Sequence, residues 1–236
     1  MDCGSGVGCG DGVGCGAAVT PTSCWTRPRL LGDALGTKSW LAEHGIVTDF
    51  ILGNYYQGVA SGGNEQTDAY GGKVDMIFMF QGEKFGLNKG LNVAMHAETR
   101  FGQDISREAG SLTLPNAPML WPLPGDYHGT NITGLMLTQS FFDGKADAVF
   151  GKLNVLDVAD MLLPEVAGGR EGFLNVNGLV SALPWLRYVN LSVWGGGAWT
   201  NKPQGVGSAF IFFGTESVTT NWDFSESFED GVGLLA

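Results

Sequence analysis

Tyr70-Gly-Gly-Lys-Val-Asp-Met-Ile-Phe-Met-Phe-Gln-Gly-Glu83 and, shortly after it, Leu91-Asn-Val-Ala-Met-His-Ala-Glu-Thr-Arg-Phe-Gly-Gln103 decide the fold. In the second stretch Leu91, Val93, Met95, Ala97 and Phe101 alternate with Asn92, Ala94, His96, Glu98 and Arg100, so every titratable side chain falls on one face. In the first, Tyr70, Val74, Met76, Phe78 and Phe80 oppose Lys73, Asp75, Gln81 and Glu83, with Ile77 and Met79 interrupting the polar side. Strand side chains alternate with period two, so a slip of one residue would put charge among apolar neighbours; the register is strongly specified. A soluble sandwich strand shows the same alternation over roughly 5–6 residues. These runs are longer, in the range of the about 9–11 residues a tilted strand needs to cross a bilayer. The pattern predicts an antiparallel transmembrane β-barrel.

Composition agrees. Charged residues make up 16% of the chain, against roughly 25% in ordinary soluble domains. Glycine, at 38 of 236 residues, suits tight turns and close strand packing. The net charge of −11 and the lack of a Lys/Arg cluster exclude nucleic acid as a partner. No apolar run approaches the length of a membrane helix, which leaves a closed barrel as the spanning solution. No basic region followed by an apolar run opens the chain, so a secretory signal is expected upstream or already removed.

Residues 1–24 form a low-complexity leader in which Cys3, Cys9 and Cys15 each precede glycine, with Cys24 off the period. The spacing does not fit a zinc site, and flexible glycine-rich chain fixes no disulfide connectivity; disorder is expected. Residues 25–45 read as a short helical periplasmic segment, with Lys-Ser-Trp-Leu-Ala-Glu-His stopped at Gly45. Residues 46–236 hold the barrel, with strands expected at about 46–60, 69–84, 89–103, 130–142, 145–155, 188–200, 206–219 and from 231. Pro115, Pro118, Pro122 and Pro124 make 104–129 a long loop, and Phe141-Phe142-Asp143-Gly144-Lys145 a tight hairpin.

Residues 31–46, with their Gly-Asp pair, short helix and Leu-Ala-Glu-His-Gly-Ile turn, resemble the opening signature of the carbohydrate-selective porins of the OprB type. Tyr70-Gly71-Gly72, Gln139-Ser140-Phe141-Phe142-Asp143-Gly144-Lys145, and Gly151-Lys152-Leu153-Asn154 with Asp157 extend the likeness over about 30–160, while Ala34 and Lys38 depart from it. The resemblance implies a sixteen-stranded outer-membrane barrel passing sugars by passive diffusion, of which this chain would supply the N-terminal half, about eight strands, as an incomplete wall. Eight strands closing alone would give a packed interior with no channel.

A sugar porin needs no catalytic group, cofactor or metal; it needs polar side chains that replace a sugar's hydrogen bonds to water. Lys73, Asp75, Glu83, His96, Glu98 and Arg100 are the candidate pore lining, with Lys152 and Asn154 added by the resemblance. The bland alternative is a set of solvated cross-strand pairs. Trp121 and Asp126 lie in the Pro-rich loop and are candidates for an inward-folded constriction; Trp185, Tyr188, Trp194, Trp199 and Trp222 fit interfacial girdles better than stacking tracks. Enzyme readings fail: every cysteine precedes His96-Ala97-Glu98, ruling out the deaminase pattern, and Asp157, Asp160 and Glu165 sit in a Leu-rich segment more typical of a solvated helix face. The competing expectation is a soluble or surface all-β carbohydrate-binding module, with the apolar stripes buried against another sheet.

Overall fold

The computed structural model describes residues 32–33, 35–110, 115–116, 119, 129–154, 157–158, 192–202 and 205–235. The leader 1–24 and the side chains of Trp121, Asp126, Asp160, Glu165, Trp185 and Tyr188 lie outside these residues.

A helix α1 (Thr37–Glu43) leads into β1 (Ile46–Gly58), β2 (Asp68–Gln81), β3 (Leu91–Gly102), a one-turn helix α2 (Ser106–Ala109), β4 (Gly129–Phe141), β5 (Ala146–Asn154), β6 (Ser192–Lys202), β7 (Gly205–Gly214) and β8 (Val232–Leu235). The eight strands form one antiparallel meander in chain order. The first four span 13, 14, 12 and 13 residues, beyond the roughly 9–11 that cross a bilayer. Among the described residues β1 pairs only with β2 and β8 only with β7, so the sheet is open.

Connections alternate between the two ends. Residues 82–90 and 142–145 turn at the end where α1 enters, where β6 also ends and β7 begins; β1 and β2, β3 and β4, β5 and β6, and β7 and β8 succeed each other at the opposite end. Glycines set the turns: Gly45 (φ 84°) ends the approach from α1, and Gly144 (φ 82°) follows Phe142 (φ 54°) and Asp143 (φ 55°) in the hairpin. Asp tolerates the left-handed region, but a phenylalanine there costs on the order of 1 kcal/mol. β2 stops at Gln81, short of the expected 84, because Gly82–Phe85 wind into a 3-10 turn. β7 likewise stops at Gly214 rather than 219: the Ser227 carbonyl lies where a side chain at 214 would stand, and the Val218 amide donates to Ser192 O instead (2.9 Å).

The two faces are inverted relative to a soluble sheet. Phe50 (52%), Leu52 (62%), Phe150 (48%) and Phe210 (51%) are exposed, whereas Lys73, Asp75, His96, Glu98 and Arg100 are 1–4% exposed. Soluble proteins almost never arrange long strands this way, since fully buried charges are rare and large exposed apolar tracts mark a membrane or a partner. The ladder keeps the sets apart: Phe50 opposes Met76 and Leu137 opposes Phe150 outside, while Asp75 opposes Glu98 and Lys73 opposes Arg100 inside.

The inner face is not uniformly polar, contrary to the expectation of a wetted wall throughout. Met136, Val149, Leu153, Val193, Trp199 and Ile211 form a buried apolar cluster on β4 to β7, with Val158 from the connection after β5 packed on it. β7 is apolar on both sides, Phe210 and Phe212 outward, Ile211 and Phe213 inward, a pattern the run Phe210-Ile-Phe-Phe213 already carries.

Two substitutions test these faces. Arginine at Phe150, at the middle of β5, is expected to cost about 2–4 kcal/mol of folding into lipid vesicles, the penalty for an arginine on the lipid side of a barrel. Gly151 has φ 144°, and the Leu135 carbonyl occupies the place of a side chain; Gly151→Ala is expected to lose at least about 2 kcal/mol, read for both variants by urea titration in the vesicles.

Candidate functional site

Charge is concentrated on the inner face toward the end bearing the long connections. The β2–β3 register places Asp75 directly opposite Glu98 and Lys73 directly opposite Arg100. Like charges facing each other across a ladder repel; the chain resolves this on the diagonals. Lys73 Nζ binds Glu98 Oε1 and lies 3.1 Å from Asp75 Oδ1, inserting one ammonium between the two carboxylates. Arg100 turns away to Asp104, Nη2 donating to Oδ2 at 2.7 Å. All four strand residues are at most 3% exposed.

His96 joins this group to the chain beyond β5. Its Nε2 lies 2.9 Å from Asp75 Oδ1 and its Nδ1 2.8 Å from Asp157 Oδ2. Asn154 Nδ2 donates to Thr133 Oγ1 at 3.1 Å and lies 3.5 Å from Glu98 Oε2. A β-bulge makes room. The β3–β4 ladder pairs His96 with Gly134 and Ala97 with Ile132, leaving Thr133 without an opposite residue. A bulged residue is released from the ladder and re-aimed; here the Thr133 carbonyl accepts from Ser192 Oγ at 2.6 Å, so the network runs from β2 to β6. Gly134 matters beside it, because a side chain there would stand 3.3 Å from Asn154 Cβ and 3.4 Å from His96 Cβ.

Lys152 is held apart from the carboxylates. Its ammonium donates to the carbonyls of Asn221 (3.0 Å) and Thr219 (3.4 Å) and lies 4.5 Å from the centre of the Trp222 ring. Trp222 in turn packs at a tilt of 59° against Trp194, which meets Phe224 edge-on. The connection carrying these rings is braced by Asp223, whose Oδ1 accepts from the amides of Ser225 (3.0 Å) and Glu226 (3.1 Å). Those bonds, led by the Glu226 amide, hold the Asp223 carboxyl below its ordinary range.

Asp75, His96 and Glu98 offer three metal-ligating atoms within 4.8 Å of one another. Lys73 fills the position a cation would take between the carboxylates, and both imidazole nitrogens are engaged, so the arrangement suits an internal salt bridge rather than a metal centre.

Of the residues singled out in the sequence, Lys73, Asp75, His96, Glu98, Arg100 and Asn154 share this inner face, and Lys152 lies beside it. Glu83 does not: it is exposed in the 3-10 turn between β2 and β3, because β2 ends before it. Thr133, Asp104 and Ser192 were not legible as members, since a bulge has no local signature and the others become partners only through folding. The described part of the Pro-rich loop reaches the inner side: Asn116 Nδ2 donates to Gln57 Oε1 (3.1 Å) on β1, and Met119 packs where a side chain at Gly71 would stand.

An open antiparallel meander of long strands, apolar outward and charged inward, has the fold of a porin-type β-barrel wall. Among solved structures it matches OprB of Pseudomonas putida, determined at high pH, with a TM-score of 0.59 and 17% identity, covering 85% of this chain and 47% of that one. The likeness is one of fold, and the chain spans about half the length of that structure. No family model and no curated protein matches the sequence.

Removing one partner of a buried ion pair strands the other, at a cost of about 3–5 kcal/mol. Lys73→Met is therefore expected to lower the unfolding midpoint far more than the triple change Lys73→Met, Asp75→Leu, Glu98→Leu, read by urea denaturation in detergent. For Asp223, a carboxyl held low stabilises the folded form above its unfolded value of 3.8 and loses that contribution as pH falls through the lower folded value. Hydrogen exchange at the Ser225 and Glu226 amides is expected to accelerate in that acid window, and at all pH values in Asp223→Ala.

Proposed function

We propose that this chain is part of an outer-membrane porin that lets small neutral sugars diffuse passively across the outer membrane of a Gram-negative-type bacterium. The observation that carries the reading is the inversion of the faces: Phe50, Leu52, Phe150 and Phe210 stand exposed while Lys73, Glu98 and Arg100 are buried. A surface of that kind is solvated by acyl chains. The carbohydrate part rests on the resemblance at residues 31–46 and 139–154, with the fold likeness in support.

Within this reading Lys73, Asp75, His96, Glu98, Arg100, Lys152 and Asn154 set the polar wall, and the Pro-rich loop with Trp121 and Asp126 narrows the passage. The anchoring of Asn116 on Gln57 supports an inward course for that loop. Selectivity then comes from width and hydrogen bonding, not from a bound cofactor or a chemical step.

The full-length barrel containing this chain, reconstituted in liposomes, is expected to admit a neutral monosaccharide, seen as swelling, while excluding a high-molecular-weight dextran. A protein that stays monodisperse in plain buffer without detergent, or vesicles that do not swell, would sink the porin reading. Deleting residues 111–126 from that full-length barrel is expected to raise single-channel conductance and relax size exclusion; unchanged conductance and sugar flux would remove the constriction role.

A further inference from the structure

The lysines of this acidic chain are sorted along the strand axis. Lys84 and Lys89 stand exposed in the β2–β3 turn, Lys145 in the β4–β5 turn and Lys202 at the mouth of the β6–β7 turn; Lys38, on α1, is partly covered and lies 3.8 Å from Asp49. The other lysines are buried, Lys73 in the ion network and Lys152 against the carbonyls of Thr219 and Asn221. At the opposite end the described residues of the long connections carry Glu65, Asp104, Glu108, Asp157, Glu216, Asp223, Glu226, Glu229 and Asp230, with Arg107 as their one basic residue and no lysine.

Exposed apolar side chains stand beside the lysines on the same rim. Phe85 and Leu87 lie between Lys84 and Lys89, Phe141 and Phe142 precede Lys145, and Trp40 follows Lys38; all five are 44–77% exposed. Phe141 continues the exposed column of Leu137 on β4, so the patch is continuous with the outward wall. Phe142 is the most exposed of them and is held at φ 54°, a conformation that the hairpin must over-determine. Aromatic rings flanked by ammonium groups at the end of an apolar wall match the headgroup level of a bilayer, where the rings enter the acyl boundary and the ammonium groups meet phosphates.

We infer that the short-turn rim is a binding surface for anionic phospholipid headgroups, with Lys84, Lys89, Lys145 and Lys202 contacting the phosphates and Phe85, Phe141 and Phe142 seated just beneath. The inference rests on the membrane-spanning reading and adds to it a lipid class. Glu83 and Asp143 lie in the same turns and Asp33, Glu43 and Asp49 at the α1 side of this rim, and Asp143 is 3.9 Å from Lys89. Both members of that pair are 80% or more exposed, so it is too weakly held to compete with a phosphate brought in by insertion.

The test is electron paramagnetic resonance on the full chain in phosphatidylcholine bilayers containing a trace of spin-labelled phosphatidylglycerol or, separately, spin-labelled phosphatidylcholine. The motionally restricted fraction gives a relative association constant for each. A several-fold preference for phosphatidylglycerol is expected, weakened in high salt and reduced towards parity in the variant K84Q/K89Q/K145Q/K202Q. The same four changes made instead at acids of the other rim, E216Q/E226Q/E229Q/D230N, are expected to leave the preference intact. Equal association of both labels with the unchanged protein, or an undiminished preference in the lysine variant, overturns the proposal alone. No restricted component with either label overturns the membrane-spanning reading and this proposal with it.

Discussion

Lys73 stands between two carboxylates that the ladder forces face to face. Without it, the pairing of Asp75 with Glu98 would put like charges together on a buried surface, where desolvation makes repulsion severe. The same register sets Phe78 against Met95 and Phe80 against Val93 on the other side. Relieving the clash by a one-residue slip would carry Phe78 inward and Glu98 outward. The ammonium thus lets one register serve both faces, and the sidedness of the sheet follows from it. The diagonal geometry also explains why Arg100, although opposite Lys73, contributes through Asp104 instead.

The network also divides the inner surface into bands. Near the long connections it is ionic; across the middle of β4 to β7 it is a packed apolar cluster; towards the short turns it is polar again, with Ser140 Oγ donating to Asp147 (2.6 Å) and Asn201 Nδ2 donating to the other oxygen of the same carboxylate (2.6 Å). Burying Trp199 and Ile211 against Val149 removes apolar surface from water on the side where a uniformly wetted wall would have none to bury. Barrels whose interiors are partly filled behave in this way, and stiffness is the physical return.

Much of this was legible in the chain. The alternation at 70–83 and 91–103 gave the faces, and Asp143-Gly144 gave the hairpin, because those signals are local. The ion network was legible as a set of residues but not as a set of partners. Period-two reasoning places His96 and Asp75 on one side; it does not say that Asp157, beyond the end of β5, will close on the imidazole. The Thr133 bulge breaks the period on which the reading depends, and a single extra residue in Gly129–Phe141 leaves no compositional trace. Glu83 was misplaced because alternation was carried through Gly82, where the backbone had already begun to turn. The apolar inner cluster was missed for a different reason: Phe210-Ile-Phe-Phe213 has no period, and a run without one is silent about which side is covered.

The pairing of Lys73 with two acids and of Arg100 with a third has an electrical consequence. Opposite charges held within about 3 Å of each other form short dipoles, whose potential decays much faster with distance than that of a lone charge. Two bases set against three acids leave one surplus negative charge, so a few ångströms away this stretch of wall has a field far weaker than its dense ionisation suggests, but one of negative sign. A small cation drifting past β2 and β3 would be drawn only weakly, and the exposed acids and lysines of the two rims stand outside this cancellation.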